Sequence, residues 1–156
     1  MALYVGLMSG TSLDGVDGVL IDFGSTQGLP ITLRAHHHRP FDTALRTELL
    51  ALNAPGDNEL ERAELAANAV ARSYAAVTQA LLRDSATAAH DVLALGAHGQ
   101  TVRHRPGALD GTGFTTQLLN GALLAELTGI DVVCDLRRRD VAAGGHRHRA
   151  EAAVDH

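Results

Sequence analysis

Apolar residues open the chain in short strand-like blocks. Leu3 to Met8 is a run rich in strand formers that stops at Ser9-Gly10-Thr11-Ser12, and a second run follows from Val16 to Phe23. Within it Val19 and Ile21 alternate with Gly18, Leu20 and Asp22, so the two runs predict a hairpin with a small-residue turn. Gly24-Ser25-Thr26-Gln27-Gly28 breaks the pattern before a third candidate strand, Pro30 to His38. The period then changes. From Asp42 to Leu52 the apolar positions Ala44, Leu45, Leu49 and Leu52 predict a short amphipathic helix closed by Pro55-Gly56. Leu60, Ala63, Ala67, Val70, Tyr74, Val77 and Leu81 follow in steps of three and four, the clearest helical stripe in the chain, with Asp57 or Asn58 as its N-cap. Asp91 to Ala97 predicts a buried strand, Phe114 to Leu118 a further short one, Gly121 to Leu127 a helix and Ile130 to Cys134 another buried strand. Strands first, then strands alternating with helices, place the chain in the α/β class.

Composition narrows the class of partner. The 156 residues are 46% hydrophobic and 20% charged, ordinary for a globular domain, and the formal charge of −5 disfavours nucleic acid or an anionic membrane as the main partner. All 13 basic residues are Arg, which excludes a Walker-type, Schiff-base or general-base lysine. The lone Cys134 forms no internal disulfide, the N-terminus lacks a secretory pattern, and no segment approaches the ~20 apolar residues of a membrane span. A cytoplasmic protein is expected.

Three segments could carry chemistry. Gly10-Thr11-Ser12-Leu13-Asp14-Gly15 lies between the first two strands, where backbone N–H groups and hydroxyls can meet phosphate oxygens and Asp14 could orient a hydrated Mg²⁺; the same residues also make an ordinary turn. Gly96-Ala97-His98-Gly99-Gln100-Thr101 lies at the C-terminal end of a predicted buried strand, where open α/β sheets present ligand-binding groups. A strand-end loop with a satisfied histidine is the alternative. Asp135-Leu136-Arg137-Arg138-Arg139-Asp140 offers guanidinium groups for an anion, or simply a solvated charged stretch. His36-His37-His38 does not place three ligands on one face of a strand, and Ser12, His98 and Asp140 lack the nucleophile elbow of a hydrolase.

Together these blocks resemble the anhydro-N-acetylmuramic acid kinase family. Val5-Gly6-Leu7-Met8-Ser9-Gly10-Thr11-Ser12-Leu13-Asp14-Gly15-Val16-Asp17 is similar to its N-terminal signature, and Gly96-Ala97-His98-Gly99-Gln100-Thr101-Val102-Arg103-His104 to its second block. The segments from Asn120 to Val133 and from Arg137 to Gly145 follow in order and spacing. The resemblance implies a ribonuclease-H-like domain of the sugar kinase, heat-shock protein 70 and actin superfamily, here its N-terminal part only. By that resemblance Gly10, Thr11, Ser12, Leu13, Asp14, Gly15, Val16 and Asp17 form the first ATP-phosphate loop, and Asp14 serves Mg²⁺. His98, Gln100 and the Arg137 to Asp140 segment, Arg139 and Asp140 foremost, line the sugar side. The implied partners are ATP and a small amino sugar, with a homodimer as the expectation for a full-length form.

The implied reaction opens the anhydro ring with an aspartate-activated water while the sugar O6 takes the γ-phosphate. That aspartate and the second phosphate loop belong to a later part of the family sequence. Residues 1–145 are therefore expected to be an incomplete domain, and 146–156 a divergent tail of the kind a frameshifted or truncated gene would give. The chain alone is expected to be inactive. The competing expectation is a non-enzymatic sugar- or phosphate-binding module.

Overall fold

In the computed structural model, which describes residues 1–24 and 31–145, strands β1 (Leu3–Ser9), β2 (Gly15–Asp22) and β3 (Thr32–Pro40) form an antiparallel meander. Helices α1 (Thr43–Ala51) and α2 (Glu59–Asp84) lead through a one-turn 3-10 helix (Ala89–Asp91) to β4 (Val92–Pro106), which returns parallel to β1. Strand β5 (Gly113–Leu118), helix α3 (Gly121–Thr128), strand β6 (Val132–Val133) and helix α4 (Leu136–Ala142) follow. The sheet order is β3-β2-β1-β4-β5, with β6 parallel to β4. This is the mixed α/β arrangement expected from the alternation of elements.

One face of the sheet holds the core because the strands alternate. Leu3, Val5 and Leu7 of β1 and Val16 and Leu20 of β2 are buried on the side that receives α2, whose Val70, Tyr74, Val77 and Leu81 complete the layer. Gly18 is what lets the helix come this close: a Cβ there would lie 2.4 Å from Val77 Cγ1. The opposite face carries Tyr4 and Met8 of β1 in the open, and a trough of about 580 Å³ there is lined by Tyr4, Ile21, Phe23 and Val133. The Tyr4 and Phe23 rings meet edge to face there, with centroids 5.4 Å apart.

Asp42 caps α1 by accepting from Leu45 N–H at 2.7 Å. Asn58 takes the N-cap position of α2 but does not cap with its side chain; it adopts a left-handed φ of 53° and donates Nδ2 to Glu61. The third strand begins at Thr32, two residues after the expected start, and Pro30 lies outside the described residues. The expected strand Ile130–Cys134 is reduced to Val132–Val133. The largest difference is β4. The expected end at Ala97 is a kink, not a stop: Gly99 has φ +78°, the pairing with β1 shifts register between Leu7 and Ser9, and the chain continues as the partner of β5. The proposed tail, 146–156, lies outside the described residues. Among the described residues no helix is long and apolar enough to cross a membrane.

Candidate active site

The turn between β1 and β2 closes with Leu13 N–H donating to Gly10 O at 3.2 Å. Leu13 adopts a left-handed φ of 57° and buries its side chain in the core, which leaves Thr11, Ser12 and Asp14 exposed. Ser12 Oγ donates to Asp14 Oδ1 at 2.8 Å. That bond, followed by the contribution of Asp14's own backbone N–H, holds the carboxyl below the usual carboxylate range. The turn therefore offers hydroxyls and one ionised carboxylate on a loop pinned from below. Gly15 and Val16 begin β2 and are buried, and Asp17 stands on its open face between His36 Nε2 at 3.3 Å and His38 Nδ1 at 3.1 Å.

Magnesium tests the turn's chemistry. The ion usually keeps several waters and uses one or two carboxylates together with substrate phosphates. Among the described residues no group of three His, Cys, Asp or Glu side chains is arranged to hold a metal. A single ionised, exposed Asp14 beside hydroxyls fits an ion shared with phosphate and does not fit a resident structural metal.

The kink of β4 brings the second block against this turn. Ser9 and Gln100 are register partners, and Gln100 Nε2 donates to Gly10 O at 3.1 Å. Gln100 is completely buried, with Oε1 unpaired among the described residues. His98 is half-buried; its Nδ1 lies 2.8 Å from Gly99 O and its Nε2 accepts from Arg137 Nε at 3.2 Å. A carbonyl only accepts and a guanidinium only donates, so these partners select the neutral imidazole with its proton on Nδ1.

The Arg cluster folds as α4, which packs on β5 and β4. Val141 is buried, so Arg137, four residues earlier on the same helix face, is turned toward the sheet and reaches His98. Arg139 falls on the far side and is exposed. Asp140 follows Arg137 by three residues, and its carbonyl accepts Gly145 N–H at 2.9 Å. The structure thus joins His98, Gln100 and the Gly10 turn, and of the Arg137 to Asp140 segment that the resemblance assigned to the sugar side it brings Arg137 onto His98 and leaves Arg139 exposed.

Two residues behind the site fall outside the sequence motifs' assigned roles. Ser9 Oγ lies 3.0 Å from the Tyr74 hydroxyl and donates to Gly99 O at 3.3 Å. The serine has one hydrogen to give, so Tyr74 is the donor in their bond. Burial pushes the tyrosine up to about 12, so it is a proton donor throughout the neutral range. The available signal was its identity: one hydroxyl-bearing ring in a stripe of Ala, Val and Leu.

A sequence profile of the anhydro-N-acetylmuramic acid kinase family matches residues 2–154. Curated relatives named anhydro-N-acetylmuramic acid kinase are 64% identical over 143 residues in Variovorax paradoxus and 62% in Albidiferax ferrireducens. A third, from Cupriavidus metallidurans, is 57% identical. The aligned residues make up 92% of this chain and 36–37% of each relative, so the chain spans little more than a third of their length. The fold is the N-terminal part of a ribonuclease-H-like domain of the sugar kinase and actin type. With the turn, the kinked second block and the Arg segment all inside the matched region, the chain belongs to the anhydro-N-acetylmuramic acid kinase family.

Proposed function

We propose that this chain is the nucleotide-phosphate side of a cytoplasmic, ATP-dependent kinase that opens the ring of 1,6-anhydro-N-acetylmuramic acid and yields N-acetylmuramic acid 6-phosphate in cell-wall recycling. The observation that carries the reading is the 64% identity over 143 residues to a relative of that name. In this reading the backbone and hydroxyls of Gly10, Thr11 and Ser12 donate to phosphate oxygens, and Leu13 anchors the loop from below. Gly15, Val16 and Asp17 carry the loop into β2. Asp14 holds Mg²⁺, which when bound offsets negative charge on the phosphates. His98, Arg139 and Asp140 serve the sugar side together with Arg137, whose bond fixes the tautomer that His98 offers. Gln100, enclosed beneath the turn, serves the phosphate loop by holding Gly10 O. The aspartate that activates water comes from the part of the family sequence outside the match, so the 156-residue chain alone binds without turning over.

The reading is tested by incubating the 156-residue chain with the anhydro sugar, Mg²⁺ and ATP and following sugar phosphate by mass spectrometry. No product is expected. Turnover near that of an intact family member would overturn the assignment of the base to the missing part. Joining residues 1–145 to the remaining segment of the Variovorax paradoxus relative should restore turnover, and Asp14→Ala in that protein should lower it by ~10²-fold or more, since positioning and charge neutralisation supply most of the catalysis. Unchanged turnover at saturating Mg²⁺ and ATP would remove Asp14 from the site.

A further inference from the structure

The bonds behind the Gly10–Asp14 turn form a chain that passes through the covalent neighbours Ser9-Gly10 and Gly99-Gln100. Tyr74, in the middle of α2, donates to Ser9 Oγ, Ser9 donates to Gly99 O, and Gln100 donates to Gly10 O. Gly10 O is also the acceptor for Leu13 N–H, the bond that closes the turn. The carbonyl at the corner of the loop is therefore held by the Gln100 side chain, one residue after Ser9, the register partner of Gln100.

A phenyl ring would fill the position of Tyr74 as well as a phenol does. The hydroxyl adds nothing to packing and is costly to bury unless it is bonded. Its partner is the last residue of β1, where the strand ladder stops and the exposed turn begins. The long helix is packed along its buried stripe, so it gives that end of the strand a fixed reference.

We propose that Tyr74 is a positioning residue for the Gly10–Asp14 turn, its hydroxyl setting, through Ser9 and the kink at Gly99, where the Thr11 and Ser12 groups stand to receive a nucleotide phosphate. The ligand part of this inference rests on the phosphate reading of the turn; the geometric part does not.

Hydrogen exchange of the 156-residue chain, followed by mass spectrometry on peptides spanning residues 9–14 with and without Mg·ADP, tests both parts. Tyr74→Phe should speed exchange of the Leu13 amide about 5-fold, the effect of one net hydrogen bond, and weaken Mg·ADP protection by a similar factor. Ser9→Ala should do the same, and the double variant should be no worse than either. Val77→Ala, a buried change on the same helix outside the bonded chain, should lower Tm at least as much while leaving both readouts at the wild-type level. The proposal is overturned if Tyr74→Phe leaves Leu13 exchange unchanged, if its effect spreads evenly over β1 and β2, or if the two substitutions add. Absence of Mg·ADP protection in the wild type would remove the phosphate reading, and the Leu13 exchange rates would then decide the positioning role alone.

Discussion

Gly99→Ala and Gly96→Ala, three residues apart in β4, should differ sharply in cost. At Gly99 the backbone has φ +78°, where an L side chain costs roughly 1–2 kcal/mol. The added Cβ would also stand 3.0 Å from Leu118 O and 3.2 Å from the Cβ atoms of Gln117 and Leu119. Those neighbours belong to β5 and to the residue that follows it, so they cannot rotate away, and the crowding adds about 1 kcal/mol. The sum is ~2–3 kcal/mol, a fall in Tm of roughly 5–10 °C for a chain of this size. At Gly96 the nearest atom is Val5 O at 3.9 Å and the backbone is ordinary, so alanine fits. Its cost should be near zero, or slightly favourable through the unfolded chain. Urea titration with matched thermal melts measures both. Equal losses, or a Gly99→Ala protein as stable as wild type, would refute the account of the kink as a left-handed glycine pressed against β5.

The Asp22 carboxylate accepts from Arg34 Nη2 at 2.8 Å, Gly24 N–H at 2.9 Å and Ala2 N–H at 3.1 Å, and these bonds, the arginine's first, hold it at about 2 against an ordinary 3.8. A depressed folded value stabilises the protein above the unfolded value, so that contribution should be complete above about pH 4 and vanish as pH falls toward 2; Arg34→Ala should flatten this acid limb of a Tm-against-pH curve, and an unchanged limb would rule the pair out. The open sheet face, where Met8 is 53% and Val133 51% exposed, should bind a hydrophobic dye, and Met8→Ser with Val133→Ser should cut the fluorescence and raise solubility at little change in Tm; undiminished fluorescence would point to another surface.

Local pattern and the resemblance it carries account for much of this protein. The alternation in β1 and β2 and the three-and-four stripe of α2 were legible because each is set by which side of an element must leave water. The turn at Gly10–Asp14 was legible because small and hydroxylated residues between two strands have few other uses. The course of β4 was not, since a glycine that kinks a strand and a glycine that ends one look alike until a second strand is present to pair with the continuation. Nor was the choice among the three arginines, which depends on Val141 being the residue of α4 that the sheet buries. Burial decided the roles of the remaining site residues. Gln100 reads as a ligand contact in a strand-end loop, yet its side chain is enclosed and directed at Gly10 O, and Tyr74 reads as one more core position until its hydroxyl is found on Ser9, 65 residues away in the chain. Hydrogen bonds over such separations have no period in the sequence; they exist only where packing brings a helix against the end of a strand.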